Sequence, residues 1–346
     1  VDLCPVGALT SKDFRFKMRV WFLKETKTID VDCGTGTNIT LWTREDKVYR
    51  ITPRQNDAVN SCWMPDSHRL NYKYINAETR IPQPVIRTDA EAPHRPSTWE
   101  PALASAAEAV KRIAPNQLAI IASGRMTNEE LYMVRHLAAQ IGTDMVDIVP
   151  RMGESDGMLI SADRNPNTNG ARLVLDIEPG SKLDAIREGV RSGSIKGILS
   201  LGEDLISPEA GFTAEDLDKL DYLFMTAHSA NETARHADLV LPGVTYAEKF
   251  GTMINVTGRI QRLNRAIQPI GYARDDWQIF RDITLLLGGN PALKDFNSAL
   301  DILTAMSTEY GALNGVSWGS IGDGGQPILE TGVTIPVVER EKNQGR

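Results

Sequence analysis

A short apolar run, Leu118-Ala119-Ile120-Ile121-Ala122-Ser123-Gly124, is followed closely by Thr127-Asn128-Glu129-Glu130. An apolar run of this length that ends at a glycine is typical of a strand buried on both faces. A threonine three residues before a glutamate is typical of a helix N-terminus. The stretch therefore predicts a buried strand that leads directly into a helix extending to Gln140.

The same succession of helix and strand continues on both sides of this stretch. Before it, apolar residues at helical spacing predict a helix from Trp99 to Ala114, with Ser97 or Thr98 as the N-cap. After it, we predict helices over 182–193, 213–220 and 275–288 and strands over 195–202, 222–227 and 238–242. Alternating helices and strands favour a parallel sheet with helices on both faces, so the predicted fold class is α/β.

The first 96 residues have a different pattern. Short alternating segments at 16–22, 38–42 and 47–51 are bounded by Gly, Asp, Asn or Pro, which predicts a small β-rich module. Prolines at positions 82, 84, 93 and 96 then predict an extended crossing segment and a domain boundary. We predict four parts, over residues 1–20, 21–96, 97–295 and 296–346.

Composition excludes several classes of protein. Hydrophobic residues make up 41% and charged residues 24%, as in ordinary globular proteins. No stretch approaches the roughly 18 apolar residues of a membrane-spanning helix, so we expect no direct membrane insertion. A net charge of −7 gives no broad attraction to phosphate backbones, and no glycine-rich phosphate-binding motif is present. We therefore expect neither a nucleic-acid partner nor a nucleotide site.

The cysteines are few and lie near the start of the sequence. Cys4, Cys33 and Cys62 are an odd number, which argues against a disulfide framework and for a reducing compartment. Cys4 directly precedes Pro5, the arrangement in which many ferredoxin-type clusters present their last thiolate, although a buried cysteine in a turn is the alternative. Without an initial Met or a signal-peptide pattern, the sequence looks like the middle of a gene.

Two sets of motifs carry a resemblance to a known family. The segment Asp30-Val31-Asp32-Cys33-Gly34-Thr35-Gly36-Thr37, followed by Trp63-Met64-Pro65-Asp66, resembles the N-terminal iron–sulfur module of molybdopterin oxidoreductases. Five further motifs in order resemble that superfamily's α/β domain, which is formate dehydrogenase-like: 99–103, 128–132, 142–147, 237–242 and 247–259. Together they resemble the large iron–sulfur subunits of respiratory NADH:quinone oxidoreductases (complex I).

The resemblance implies which residues would hold iron. The four cluster cysteines of the family's module fall here on Asp30, Cys33, Thr37 and Pro65, so that three of the four thiolates are missing. Cys62 lies three residues before the fourth position. A 4Fe-4S cluster generally needs four soft ligands, so we expect this degenerate module to hold none.

The resemblance has a second implication, which concerns residues 4–9. Cys4-Pro5-Val6-Gly7-Ala8-Leu9 fits the end of a ferredoxin-like segment over residues 1–20, whose other cysteines would precede Val1. We therefore expect Cys4 to be the metal ligand of this chain, binding a 4Fe-4S cluster. No catalytic residue is assigned.

The resemblance also implies a role. A chain with this resemblance is expected to be an electron-transfer and scaffold subunit in a peripheral arm that relays electrons from NADH toward quinone. Its partners are the other subunits of that arm, one of which oxidises NADH, and its location is the cytoplasmic face of the inner membrane. The lack of any cysteine after residue 62 argues against bound molybdopterin, since no thiolate of the α/β domain could reach a metal.

Alternatives to this role stay open. A catalytic molybdopterin enzyme, such as an NAD-linked formate dehydrogenase, could use a serine or aspartate ligand. A cofactor-free structural subunit is the second alternative, and an unrelated α/β binding protein would have to carry the ordered motifs by chance.

Two further groups of residues are weaker candidates. The polar stretch over 156–167 could line a cofactor cleft, but we favour a surface loop with Asx turns. His228 and His236 stand eight residues apart, and we expect surface or cleft residues rather than a metal pair.

Overall fold

A computed structural model describes residues 4, 6, 8–87 and 92–343 of the chain. The strands are β1 Lys24–Ile29, β2 Asn38–Arg44, β3 Lys47–Pro53, β4 Val85–Ile86, β5 Arg95–Pro96, β6 Leu118–Ala122, β7 Val146–Ile148, β8 Gly197–Leu201, β9 Tyr222–Ala227, β10 Leu239–Pro242, β11 Gly251–Ile254, β12 Arg259–Leu263 and β13 Gln326–Pro327. The α-helices are α1 Asp66–Leu70, α2 Trp99–Arg112, α3 Asn128–Ile141, α4 Thr168–Leu175, α5 Leu183–Ser192, α6 Ala214–Leu217, α7 Glu232–His236, α8 Asp276–Leu286, α9 Ala299–Glu309, α10 Trp318–Ile321 and α11 Pro336–Asn343. Short 3₁₀ helices cover Val20–Phe22, Lys73–Asn76, Pro115–Gln117, Tyr246–Glu248, Pro291–Asp295 and Gly311–Leu313.

The largest sheet has seven strands in the order β5-β4-β10-β9-β8-β6-β7. The five strands from β10 to β7 are parallel, and β4 and β5 extend one edge in antiparallel pairing. Alternate residues of each central strand face opposite sides: Ile120 packs with α2, α3 and α8, whereas Ile121 packs with α5 and α6. Helices therefore cover both faces, and the predicted α/β class with a parallel sheet is confirmed.

Helix α3 is fixed at both ends by its own sequence. Thr127 and Glu130 form the predicted capping box, in which each side chain accepts a hydrogen bond from the other residue's backbone N–H. The helix ends at Gly142, whose φ of +79° is a left-handed conformation that glycine adopts without strain. Helices α8 and α9 pack against α3, and the Tyr132 hydroxyl donates a 2.8 Å hydrogen bond to Glu309. The chain beyond residue 296 thus adds to the same helical layer.

Two smaller antiparallel sheets pack against each other. They are β1-β2-β3 and β11-β12-β13. Ile39 and Leu41 of the first share one buried core with Met253 and Leu263 of the second. The small N-terminal sheet is therefore attached to the α/β part through a common apolar interior.

The alternating segment at 16–22 does not form the predicted strand. Phe16 has a φ of +64°, which is incompatible with a strand, and its side chain is exposed. The strand of this region is instead β1, which pairs with β2 along its whole length. Its sequence, Lys-Glu-Thr-Lys-Thr-Ile, does not show the alternation of apolar and polar residues that predicts a strand, because only its last residues are buried.

Two other predictions need adjustment. The helix predicted over 213–220 ends at Leu217, because the chain must turn within the next four residues to enter β9. The extended segment that contains the prolines does not only cross between parts of the chain, since β4 pairs with β10 and so belongs to the large sheet. Within the described residues, no helix combines the length and apolar character that spanning a membrane requires.

Phe224 tests how far the fold depends on the face of the sheet covered by α2, α3 and α8. Its side chain is 1% exposed and lies on the middle strand β9. We expect Phe224→Ala to lower the free energy of unfolding by about 3–5 kcal/mol, because it removes a large apolar group and leaves a cavity. Urea unfolding followed by circular dichroism measures this change.

The control is Tyr272→Ala, since this aromatic side chain is 69% exposed. It should change the free energy of unfolding by less than about 0.5 kcal/mol. Equal effects of the two substitutions would contradict the assignment of Phe224 to the core.

Candidate functional site

The loop over residues 30–37, between β1 and β2, contains three of the four cluster positions that the resemblance implies. Backbone hydrogen bonds hold it against the α/β part: Gly34 N–H donates to Asp163 O at 2.9 Å, and Val256 N–H donates to Gly34 O at 2.7 Å. The Thr35 hydroxyl donates to Leu159 O at 2.5 Å. Gly36 has a φ of +63°, which favours glycine here. The loop is thus fixed by its contacts with the α/β part.

None of the four positions presents a thiolate to a common centre. The buried Cys33 thiol points to Leu159 O at 4.0 Å, and burial raises its pKa to about 11, so that it is protonated at neutral pH. Thr37 is buried, and its hydroxyl has no hydrogen-bond partner among the described residues. Pro65 precedes α1, and Cys62 is exposed. Residues of this kind do not fit a 4Fe-4S cluster.

The fourth position, Asp30, has a different set of neighbours. Its carboxylate lies 2.5 Å from Nδ1 of His68, which is on α1. The carboxylate of Asp32 is close by and accepts a 2.7 Å hydrogen bond from Asn71. Burial, together with the charge of Asp30, raises the pKa of Asp32 to about 7. Burial alone would lower the pKa of His68, but the hydrogen bond to Asp30 raises it.

A cleft lies at the carboxyl edge of the parallel strands. Residues that directly follow four of these strands line it: Ser123, Gly202, His228 and Gly243. Strand β6 leads to β7 on one side, whereas the chain returns to β8 on the other, so the order of strands reverses between β6 and β8. Such a reversal is where open α/β sheets bind ligands.

The cleft consists of two cavities that share Arg125. The outer one has a volume of about 580 Å³ and is lined by Asp32, His68, Arg151 and Arg164 among others. The inner one, toward Tyr74 and Tyr246, has a volume of about 90 Å³. Small-molecule sites usually measure about 300–1,000 Å³, so the outer cavity is within this range and the inner one is below it.

A buried group of charges lies beside the inner cavity, whose lining includes Lys249 and Asp276. The Lys249 ammonium donates to both oxygens of Glu130 at 2.8 Å, and both side chains are almost completely buried. Glu129 accepts two 2.8 Å hydrogen bonds from Thr252, yet burial raises its pKa to about 7. Burial also raises the pKa of Asp276 to about 7. This buried group therefore contains more carboxyl groups than cations.

The polar stretch over 156–167 combines both expected roles. The Asp156 carboxylate accepts hydrogen bonds from three successive backbone N–H groups at 2.8 Å, which confirms the predicted Asx turn. Leu159 is buried, however, and Arg164 lines the outer cavity. The stretch is thus a wall of the cleft as well as a loop with Asx turns.

The two predicted histidines do not meet. His228 lines the inner cavity and pairs with Ser229 at 2.8 Å. His236 pairs with Asp218 at 2.8 Å. Cys4 is half-buried, and its neighbours Leu3 and Pro5 lie outside the described residues. Its role as a ligand stays a prediction.

Sequence reasoning did not identify the group formed by Asp30, Asp32 and His68. The resemblance predicted Asp30 only as a lost cysteine position, and His68 lies 38 residues further along the chain. The signal was present as two carboxylates two residues apart at the end of a strand. The buried pair of Arg80 and Glu248, whose atoms lie 2.6 Å apart, was also missed.

Comparisons with known proteins match two segments. The family model described as "NADH-ubiquinone oxidoreductase NDSU1/NuoG-like, 4Fe-4S domain" matches residues 23–73. The model described as "Molybdopterin oxidoreductase" matches residues 149–284. Both segments contribute residues to the outer cavity of the cleft.

Curated relatives match over most of the chain. It is 26% identical to the mitochondrial NADH-ubiquinone oxidoreductase 78 kDa subunit of Candida albicans, in a match that covers 86% of this chain and 57% of that protein. It is 26% identical over 410 residues to the mitochondrial 78 kDa subunit of the same enzyme from Neurospora crassa, covering 83% and 55%. It is also 24% identical over 397 residues to an NADH-quinone oxidoreductase protein of Rickettsia conorii, covering 82% and 58%. The chain thus spans less than three fifths of the length of these relatives.

One solved structure shows the same fold. Acetylene hydratase from Pelobacter acetylenicus superposes with a TM-score of 0.63 at 9% sequence identity, covering 85% of this chain and 73% of that chain. At this identity the similarity concerns the fold alone.

The raised pKa of Glu129 predicts a particular dependence of stability on pH. Below the ordinary glutamate pKa of about 4.5 the side chain is protonated in both the folded and unfolded chain, and above about 7 it is ionised in both. Between these values only the unfolded chain loses the proton, so stability falls as pH rises. Relative to Glu129→Gln, we expect wild type to lose on the order of 3 kcal/mol over this window.

Urea unfolding at pH 5, 6, 7 and 8 measures the difference between the two proteins. Substitution of the exposed Glu215 by Gln is the matched control, because it removes no buried carboxyl group. Parallel stability profiles of wild type and Glu129→Gln would contradict the prediction.

Proposed function

Because this chain is a relative of the large iron–sulfur subunits of NADH:quinone oxidoreductase, we propose that it is an electron-transfer and scaffold subunit in the peripheral arm of such an enzyme. In this role it helps to relay electrons from NADH through iron–sulfur clusters toward quinone. The observation that carries the proposal is the order of the two matched segments, 23–73 and 149–284, on one continuously packed structure.

Cys4 is the residue that we assign to iron. It lies before the matched module, and Cys-Pro sequences end the ligand loops of many ferredoxin-type segments. A 4Fe-4S cluster accepts and donates one electron when it is bound. The Cys4 thiolate would hold one iron of such a cluster, and residues outside this sequence would supply the other ligands.

The rest of the chain is a scaffold in this proposal, with no complete active site of its own. Support comes from the protonated Cys33 and from the scarcity of thiols in the module. NADH oxidation and quinone reduction then belong to partner subunits of the peripheral arm. We place the assembly at the cytoplasmic face of the inner membrane.

The proposed organisation has four parts. Residues 1–20 end a ferredoxin-like segment, 21–96 form the degenerate module, 97–295 form the molybdopterin oxidoreductase-like domain and 296–346 form an extension. The shared core between β2 and β11 and the packing of α9 on α3 support a scaffold in which these parts act as one unit.

The assignment of Cys4 predicts the effect of three cysteine substitutions. In the complex isolated anaerobically through this subunit and reduced with NADH, Cys4→Ala should abolish the EPR signal of one 4Fe-4S cluster, because it removes an iron ligand. Cys33→Ala and Cys62→Ala should leave every cluster signal unchanged. A spectrum that Cys4→Ala does not alter would refute the role of this residue.

The metal content of the same wild-type complex tests the function itself. Iron without pterin supports the electron-transfer subunit. Stoichiometric pterin with molybdenum or tungsten would replace this proposal by a catalytic oxidoreductase, and the absence of both iron and pterin would leave a purely structural subunit.

A further inference from the structure

Three side chains converge beside the outer cavity, and nothing in the proposed electron-transfer role uses them. One ligand atom from each of Asp30, Asp32 and His68 lies within 4.8 Å of the other two. We propose that these three residues form a site for a single divalent first-row transition-metal ion, of which Zn²⁺ and Mn²⁺ are suitable examples. Asp32 and His68 Nε2 bind the ion, and Asp30 orients the imidazole through Nδ1. This inference concerns residues of this chain alone and does not rest on the proposed function.

The donor set matches such an ion. Carboxylate oxygens and imidazole nitrogens are ligands for zinc, manganese and ferrous iron, whereas iron–sulfur clusters require thiolates. In the part of the chain that the structure describes, no other set of three histidine, cysteine or acidic residues converges in this way. The site therefore differs in chemistry from the cluster that the family's module holds at the same loop.

The hydrogen bonds of the three residues leave atoms available toward the cavity. Asp32 Oδ1 accepts from Asn71, but Asp32 Oδ2 has no hydrogen-bond partner among the described residues. His68 uses Nδ1 toward Asp30, and its Nε2 likewise has no partner within the described ranges, although the side chain is only 8% exposed. Both residues line the outer cavity, so an ion can enter and water can complete its coordination.

Charge gives a second reason for a cation. One carboxylate is enough to pair with one imidazole. The surface pair of Asp218 and His236 has this composition, and so does the pair of Asp30 and His68. The buried site has a second carboxylate, Asp32, close to the first. Burying two like charges together costs free energy. The nearby Arg125 offsets part of that cost, and a divalent ion bound at Asp32 would offset more of it.

The frame around the site is rigid enough to define a coordination geometry. Asp32 N–H donates to Asp30 Oδ1 at 3.2 Å, which fixes the Asp30 carboxylate relative to the backbone of the loop. Gly34, two residues after Asp32, forms backbone hydrogen bonds with Asp163 and Val256. Asn71, which orients Asp32, follows directly after the helix that carries His68. Preorganised ligands of this kind lose little conformational entropy when the ion binds.

Calorimetric titration of the full chain tests the proposal. After removal of metal with EDTA, titration with ZnCl₂ should show one ion bound per chain, and Asp32→Asn and His68→Gln should each weaken binding at least about tenfold. The matched controls are Asp218→Asn and His236→Gln, which alter the surface pair and should leave binding unchanged. Cys33→Ala should also bind normally, because its thiol is not a ligand.

A spectroscopic measurement on the wild-type chain avoids dependence on the folding of variants. Pulsed EPR of the Mn²⁺-loaded chain should show coupling to one imidazole nitrogen. The proposal is overturned if wild type shows no saturable binding, if the Asp32 and His68 substitutions bind as tightly as wild type, if Cys33→Ala abolishes binding, or if the Mn²⁺ spectrum lacks nitrogen coupling.

Discussion

Burial of the central strands on both faces is the constraint on which the other parts of the structure depend. All residues of β6, β8 and β9 are buried, so each strand needs a helical layer on either side. Helices α2, α3 and α8 supply one layer and α5 and α6 supply the other. With both faces closed, the loops at the carboxyl edge are the place where polar groups can collect, and the cleft lies there.

The carboxyl edge explains why so many charges are buried in this chain. Glu129 and Glu130 start α3 directly behind this edge, where the unpaired N–H groups of a helix N-terminus favour carboxylates. Lys249 compensates Glu130, and Thr252 satisfies Glu129 with two hydrogen bonds. These partners come from the segment around β11, so the charge network also joins the large sheet to the small ones. The same buried interactions thus lie beside the cleft and hold the sheets together.

The sequence predicted the parts of the fold that depend on local pattern. The capping box at Thr127 and the apolar strand after Leu118 were predicted correctly because their signals lie within a few residues. Strand β1 was missed because burial of its last residues comes partly from β12, which lies more than 200 residues away in the chain. The candidate site shows the same limit: Asp30 and His68 meet only because β1 and α1 are brought together by folding.

The small N-terminal sheet shows how a module can keep its fold without the cluster ligands of its relatives. A cluster holds its loop by four covalent attachments, which this loop lacks. Here Gly34, Thr35 and Gly36 are instead hydrogen-bonded to Asp163, Leu159 and Gln261, all in the α/β part. The orphan hydroxyl of Thr37 and the protonated thiol of Cys33 are then ordinary interior groups. Because the contacts that shape the loop come from the neighbouring domain, the loop keeps its shape without thiolates at three of the four positions, and Asp30 and Asp32 lie beside His68.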